Sequence, residues 1–223
     1  MQAMWWLACT SPVEDLDSDG VPRAALQLAL PLAEPEMFTD TVGVDHDPAV
    51  YTGAERLICT AYDGRNFPAC YDEHDGSDYL LDGGFDTMDA GSTSVIAAAA
   101  GVVVSVEDGH YDRCHGTLGG DVDCDGHEGI ANHVILEHPG GELTRYWHLM
   151  KGSVAVEVGQ EIACGEHLGL VGSSGNSSTP HLHFELEQAG VAVDPYAGEH
   201  SQPETWWIEQ RTAGELPGGD CSQ

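Results

Sequence analysis

The chain has 223 residues, with 38 acidic against 7 basic side chains and a formal net charge of −31. That length fits one domain of ordinary size with terminal extensions. A surface this acidic repels phosphate backbones and anionic headgroups, which excludes nucleic acid and a bare anionic membrane as partners, and no window reaches the roughly 18 apolar residues of a spanning helix.

The 28 Gly and 11 Pro punctuate short apolar runs. This points to a mainly β fold: antiparallel sheets with hairpin loops and few short helices. Residues 1–45 read as a leader. Within it "MQAMWWLA" precedes Cys9 and the sequence then turns acidic at once, as at the end of a bacterial lipoprotein signal. Cys9 would then carry lipid and be the chain's one link to a membrane; a late start codon or an ordinary free Cys are the alternatives. The segment "RAALQLALPLAEPEM" (23–37) has helical character, cut by Pro31 and Pro35.

Residues 46–197 carry the strand signals. "SVIAAAAGVVVSVED" (94–108) is a buried-type strand pair, or one strand with a bulge at Gly101. "ANHVILEHPGGELTRYWHLM" (131–150) is a hairpin around Pro139-Gly140-Gly141. "SVAVEVGQEIACGEHLGLVGSSG" (153–175) continues with short strands and Gly turns, and "HLHFELEQAGVAVDP" (181–195) is a strand, a turn and a strand. Residues 198–223 form a polar tail whose Trp206 and Trp207 are expected to pack back onto the domain. The chain has seven Cys and no C-x-x-C. Cys59/Cys70 and Cys114/Cys124 flank loop-like sequence, Cys164/Cys221 makes a third pair, and Cys9 is left over. Three disulfides imply export to the periplasm, cell envelope or extracellular space.

The chemistry lies in the histidines. His181 and His183 sit two apart on a predicted strand, so their imidazoles share a face. His148 ends the second strand of the hairpin. Two further motifs offer ligands in the same spacing: His74-Asp75-Gly76-Ser77-Asp78 and Asp82-Gly83-Gly84-Phe85-Asp86. Residues i and i+4 lie roughly 13 Å apart on an extended strand, so either pair reaches one metal only through a bend, which Gly76 or Gly84 permits. His74, Asp78 and His183 would be an ordinary open zinc set of two nitrogens and one oxygen. Asp82, Asp86 and His183 would suit harder metals. Two Asp-rich loops, Asp121-x-Asp123-x-Asp125-Gly126 and Asp15-x-Asp17-x-Asp19-Gly20, resemble the first half of a Ca²⁺ loop. Both lack its twelfth-position Glu, having Asn132 and Leu26 there. The preferred reading is turn-forming loops, with Ca²⁺ as the alternative.

In order, "HDGSD" (74–78), "VIAAAAGVVVSV" (95–106), "NHVILEH" (132–138), "YWHLM" (146–150), "VGQEIACGEHLGLVGSSG" (158–175) and "PHLHFE" (180–185) resemble the M23 peptidases, the LytM/lysostaphin-like zinc endopeptidases of peptidoglycan. The resemblance spans about residues 70–190. It implies one zinc ion per chain held by His74, Asp78 and His183, with His148 and His181 as catalytic histidines. It implies a monomer that cleaves amide bonds in peptidoglycan cross-linking peptides, or else a non-catalytic wall-binding or amidase-regulating module. Two departures stand out. Compact members place the ligand Asp nine residues before the next strand's Val, an interval that Asp86 and Val95 have and Asp78 does not. Residue identity favours His74, so "DGGFD" is expected to be a longer loop leading to Val95. The second departure is an insert, residues 109–129, that the Cys114/Cys124 pair is expected to staple.

Overall fold

The computed structural model describes residues 15–17, 20–91 and 93–222. Cys9, the segment before it and Asp19 lie outside the described residues, so the expectations of lipidation and of the first Asp-rich loop do too. Fourteen strands and one α-helix are described: β1 Arg23–Leu28, β2 Phe38–Val42, β3 Ser77–Leu81, α1 Gly84–Ala90, β4 Ser94–Ile96, β5 Gly101–Glu107, β6 His115–Gly116, β7 Val122–Asp123, β8 His133–Glu137, β9 Leu143–Trp147, β10 Glu161–Ile162, β11 His167–Leu170, β12 His181–Gln188, β13 Val191–Val193 and β14 Thr205–Trp207. The mainly β expectation is borne out.

The frame is one sheet in the order β10-β5-β8-β9-β12-β3-β2, with β13 paired to the far end of β12. Its neighbours run antiparallel throughout. Alternation assigns its two faces. On β12, Leu182, Phe184 and Leu186 point into the core with Tyr79 of β3, Tyr146 of β9 and Leu136 of β8. His181, His183 and Glu185 take the opposite face. Each fully buried side chain of this size contributes about 1.5–3 kcal/mol. The core face therefore carries the stability, and the other face is free to gather polar groups.

The expected hairpin is β8–β9, with Val134 opposite Tyr146 and Glu137 opposite Leu143. The run 94–108 divides into two strands on different sheets: β4 pairs with β11 and β5 with β8. The three disulfides are Cys59–Cys70, Cys114–Cys124 and Cys164–Cys221. Among the described residues no helix is long and apolar enough to cross a membrane.

Two expectations need correction. Residues 23–28 form a strand, not a helix, because Leu26, Leu28, Leu30 and Leu32 alternate with period two. Leu28, Leu30 and Leu32 are buried. The strand β1 pairs with β14, and β2 pairs with β3. The stretch after β3 is the helix α1, not a plain loop. Gly83 and Gly91 bracket it with left-handed backbones, and its Met88 is buried in the core.

The tail is integral. Trp207 is fully buried, 5.7 Å from Phe184 and 5.5 Å from Tyr196 between ring centroids. Trp207→Ala should lower unfolding free energy by about 3–5 kcal/mol, read from the denaturant midpoint. A shift below about 1 kcal/mol would mark the tail as an appendage.

Candidate metal centre

The site grows from one strand pairing. In the β3–β12 ladder Asp78 lies opposite His183, and His181 opposite Leu80. Asp78 Oδ1 and His183 Nδ1 approach to 2.7 Å on the polar face of the sheet. His74 comes from the segment before β3, which the Cys59–Cys70 disulfide ties and whose Asp45 N–H donates to the His74 carbonyl (2.7 Å). The chain turns at Glu73 (φ 59°) and passes Gly76. A Cβ at Gly76 would stand 2.6 Å from the His183 ring and 2.8 Å from the Phe184 carbonyl. Only glycine lets the two segments come this close. His148 follows β9, with a left-handed backbone (φ 64°) that costs a non-Gly residue about 1–3 kcal/mol and persists only where its surroundings hold it. His181 opens β12 after Pro180.

His74 Nε2 lies 3.2 Å from Asp78 Oδ1 and 3.2 Å from His183 Nδ1. All three residues are buried. Two ligand atoms about 2.0–2.1 Å from a tetrahedral zinc ion stand about 3.3 Å apart, so two edges of this triangle match a zinc ligand set and the third is somewhat short. His74, Asp78 and His183 thus form a group that could hold a metal.

The second nitrogen of each imidazole is tied. His74 Nδ1–H donates to Gly43 O (2.7 Å) and His183 Nε2–H to Glu185 Oε1 (3.0 Å). His148 Nδ1–H donates to Ser174 O (2.6 Å) and His181 Nδ1–H to Thr179 O (2.7 Å). Carbonyls only accept, so Nδ1 carries a proton in His74, His148 and His181, and Nε2 is the nitrogen left to face other groups. His181 Nε2 lies 3.4 Å from Asp78 Oδ1. The His148 ring is 4.6 Å from that of His181 and 5.8 Å from that of His183.

Burial alone would push the Asp78 carboxyl up, but His74, His181 and His183 outweigh it and hold the group well below the usual carboxylate range. Burial depresses the His183 imidazole, yet its hydrogen bonds to Asp78 and Glu185 prevail and lift it to about 10. An imidazolium between those carboxylates and a cation among the same atoms answer the same local excess of negative charge. Burial, followed by the nearness of His181 and His183, drives His148 well below the ordinary histidine value, so its neutral form dominates.

The other sequence candidates lie apart from these groups. Asp82 accepts a hydrogen bond from Thr39 (2.7 Å), and Asp86 sits exposed in the first turn of α1. His74, not Asp82, stands beside His183. In the insert Asp123 and Asp125 gather with His115 as an exposed group, while Asp121 lies 4.0 Å from Arg56. Sequence reasoning missed Glu185, although a third residue at period two on the face of His181 and His183 was a usable signal. It also missed Tyr71, which stacks on His74 at 4.3 Å and reaches it through a loop without regular periodicity.

The sequence pattern described as Peptidase family M23 matches residues 81–195, just over half of the chain. The match includes His148, His181 and His183 and begins after His74 and Asp78. The peptidoglycan DD-endopeptidase ShyA of Vibrio cholerae is 38% identical over 68 residues, 30% of this chain and 15% of that protein. The murein hydrolase activator EnvC of Escherichia coli is 37% identical over 68 residues, 30% of this chain and 16% of that protein. The matched segment therefore spans about a sixth of the curated relatives. Among solved structures, a chain of the SpoIIIAH–SpoIIQ complex aligns at a TM-score of 0.50 with 23% identity, over 76% of this chain and 97% of that one, a likeness of fold. With the ordered motifs and the antiparallel sheet that presents them, this family match establishes that the chain belongs to peptidase family M23.

Proposed function

We propose that the chain is a zinc metalloendopeptidase that hydrolyses amide bonds in peptidoglycan cross-linking peptides. The supporting observation is the convergence of His74, Asp78 and His183, each imidazole oriented by a hydrogen bond at its other nitrogen, beside two further imidazoles of fixed tautomer. These three residues are the zinc ligands. A zinc ion bound there would supply Lewis acidity for the scissile carbonyl and a water of lowered pKa.

The remaining work falls to the chain's own groups. His148, held neutral by burial, accepts or returns a proton at Nε2, and so does His181. With their Nδ1 protons committed to backbone carbonyls, neither ring can swing its basic nitrogen away. Such donors and acceptors also stabilise the developing oxyanion and the leaving amine without reorganising. Glu185 orients His183 and strengthens it as a ligand, and is itself 3.5 Å from the Arg145 guanidinium. The enzyme would work outside the cytoplasm as a monomer, consistent with its three disulfides, with membrane attachment only through lipid on Cys9.

The likeness to EnvC raises a second reading, a module that binds the wall or an amidase partner and cleaves nothing. The five filled positions favour the enzyme. Metal content separates the two readings: about one zinc per chain supports the enzyme, and none supports the module.

Two variants sort the roles. His183→Ala should lose both zinc and hydrolysis of wall peptides. His148→Ala should keep zinc and lose about 10²–10⁴-fold in kcat. Undiminished activity in His183→Ala with zinc still bound would overturn the assignment. Glu185→Gln should weaken zinc affinity about 10–100-fold in a competition titration with a chromogenic chelator. An unchanged affinity would remove Glu185 from the site.

A further inference from the structure

The insert between β5 and β8, residues 109–129, has little core of its own. Its strands β6 and β7 are two residues each, and few of its side chains besides that of Cys114 are buried. It is nevertheless docked through residues 110–116, on two sides of the turn that carries His148.

On one side His110 N–H donates to Asn132 Oδ1 (2.9 Å), and the Asn132 side-chain amide donates to the Leu149 carbonyl (3.0 Å). Nearby, the Asp112 carboxylate accepts Lys151 N–H (2.7 Å). The residues just after His148 are thus held from the insert side. On the other side Cys114 N–H donates to the Ser173 carbonyl (3.0 Å), and Ser173 Oγ donates back to the Cys114 carbonyl (2.7 Å). Gly116 N–H reaches the Ser178 carbonyl (2.8 Å). The clamped loop runs on to Thr179 and sets both imidazoles, with Thr179 O accepting from His181 Nδ1–H. Ser174 O accepts a hydrogen bond from His148 Nδ1–H, and Ser177 Oγ lies 2.8 Å from Ser173 Oγ and 3.2 Å from His181 Nδ1.

We infer that this insert is a positioning element for His148 and His181, holding the left-handed turn at His148 and the Nδ1–H tautomer of both rings through residues 110–116 and the loop 173–179. The inference rests on the reading of these two histidines as the working imidazoles of a peptidase. The Cys114–Cys124 disulfide closes the insert. Opening it returns conformational freedom to a segment with almost no apolar burial to offset the loss. No residue of the insert belongs to the proposed zinc ligand set, so its loosening acts on proton transfer and not on metal binding.

The test uses the full, zinc-loaded chain and the variant Cys114→Ala/Cys124→Ala. Three quantities are measured: zinc per chain, kcat and KM on a wall peptide, and the imidazole ¹⁵N shifts that report tautomers. The expected result is unchanged zinc content, KM within about threefold, kcat lowered about tenfold or more, and His148 and His181 signals moving from the pure Nδ1–H form towards a mixture. Should the double variant not fold, Ser173→Ala carries the same test with a smaller shift in the same direction. Unchanged kcat and tautomers would overturn the inference, as would loss of zinc in parallel with kcat, which marks general loosening. If the parent chain hydrolyses no wall peptide, the peptidase reading falls, and the tautomer signals alone decide whether the insert positions the rings.

Discussion

The short contact between Asp78 and His183 across β3 and β12 is the constraint on which the rest depends. A buried carboxylate is costly unless charge and hydrogen bonds compensate it, and here three imidazoles crowd around one oxygen. Register makes this affordable. The same pairing that sets Asp78 opposite His183 turns Tyr79, Leu182 and Phe184 into the core. A one-residue slip would bury the polar groups and expose the apolar ones. Every other part of the site is brought to this pair: His74 by the disulfide-tied segment before β3, His148 by the end of β9 and His181 by the start of β12, with the loop after residue 172 holding both rings.

Much of this was legible in the sequence where the signal is local. The hairpin around Pro139-Gly140-Gly141, the shared face of His181 and His183, and the pairing of Cys59 with Cys70 follow from short-range periodicity and spacing. The choice between His74 and Asp82 was not decidable by interval, because the interval depends on what fills it. Here β3 continues to Leu81 and α1 follows before β4 begins. Those elements absorb the extra residues between Asp78 and Val95. Residues 23–32 misled because Ala and Leu are strong helix formers, while the alternation of Leu26, Leu28, Leu30 and Leu32 carried the truer signal. Tyr71 and the carbonyls of Gly43, Ser174 and Thr179 were beyond reach. Backbone acceptors have no residue-type signature, and tertiary contacts between irregular segments leave no period.

Membership of the M23 family and the shared fold leave room for what is particular to this chain. The matched region begins at Leu81, so His74 and Asp78 enter the site through geometry and not through that match. The segment 109–129 lies inside the matched region and the C-terminal tail after it. The tail is woven into the core through Trp207, and the insert docks on the loop beneath the imidazoles. Acidic residues elsewhere, including the exposed Asp123 and Asp125, hydrogen-bond to nearby backbone or Tyr111 and stand apart from the buried cluster.

The central claim is that His74, Asp78 and His183, and not the acidic echo at Asp82 and Asp86, hold the metal. Anomalous diffraction at the zinc edge from crystals of the metal-loaded chain tests it most directly. The account predicts a single strong peak about 2.0–2.2 Å from His74 Nε2, Asp78 Oδ1 and His183 Nδ1. A peak bound through Asp82 or Asp86, or zinc found only at the exposed His115 group, would contradict it.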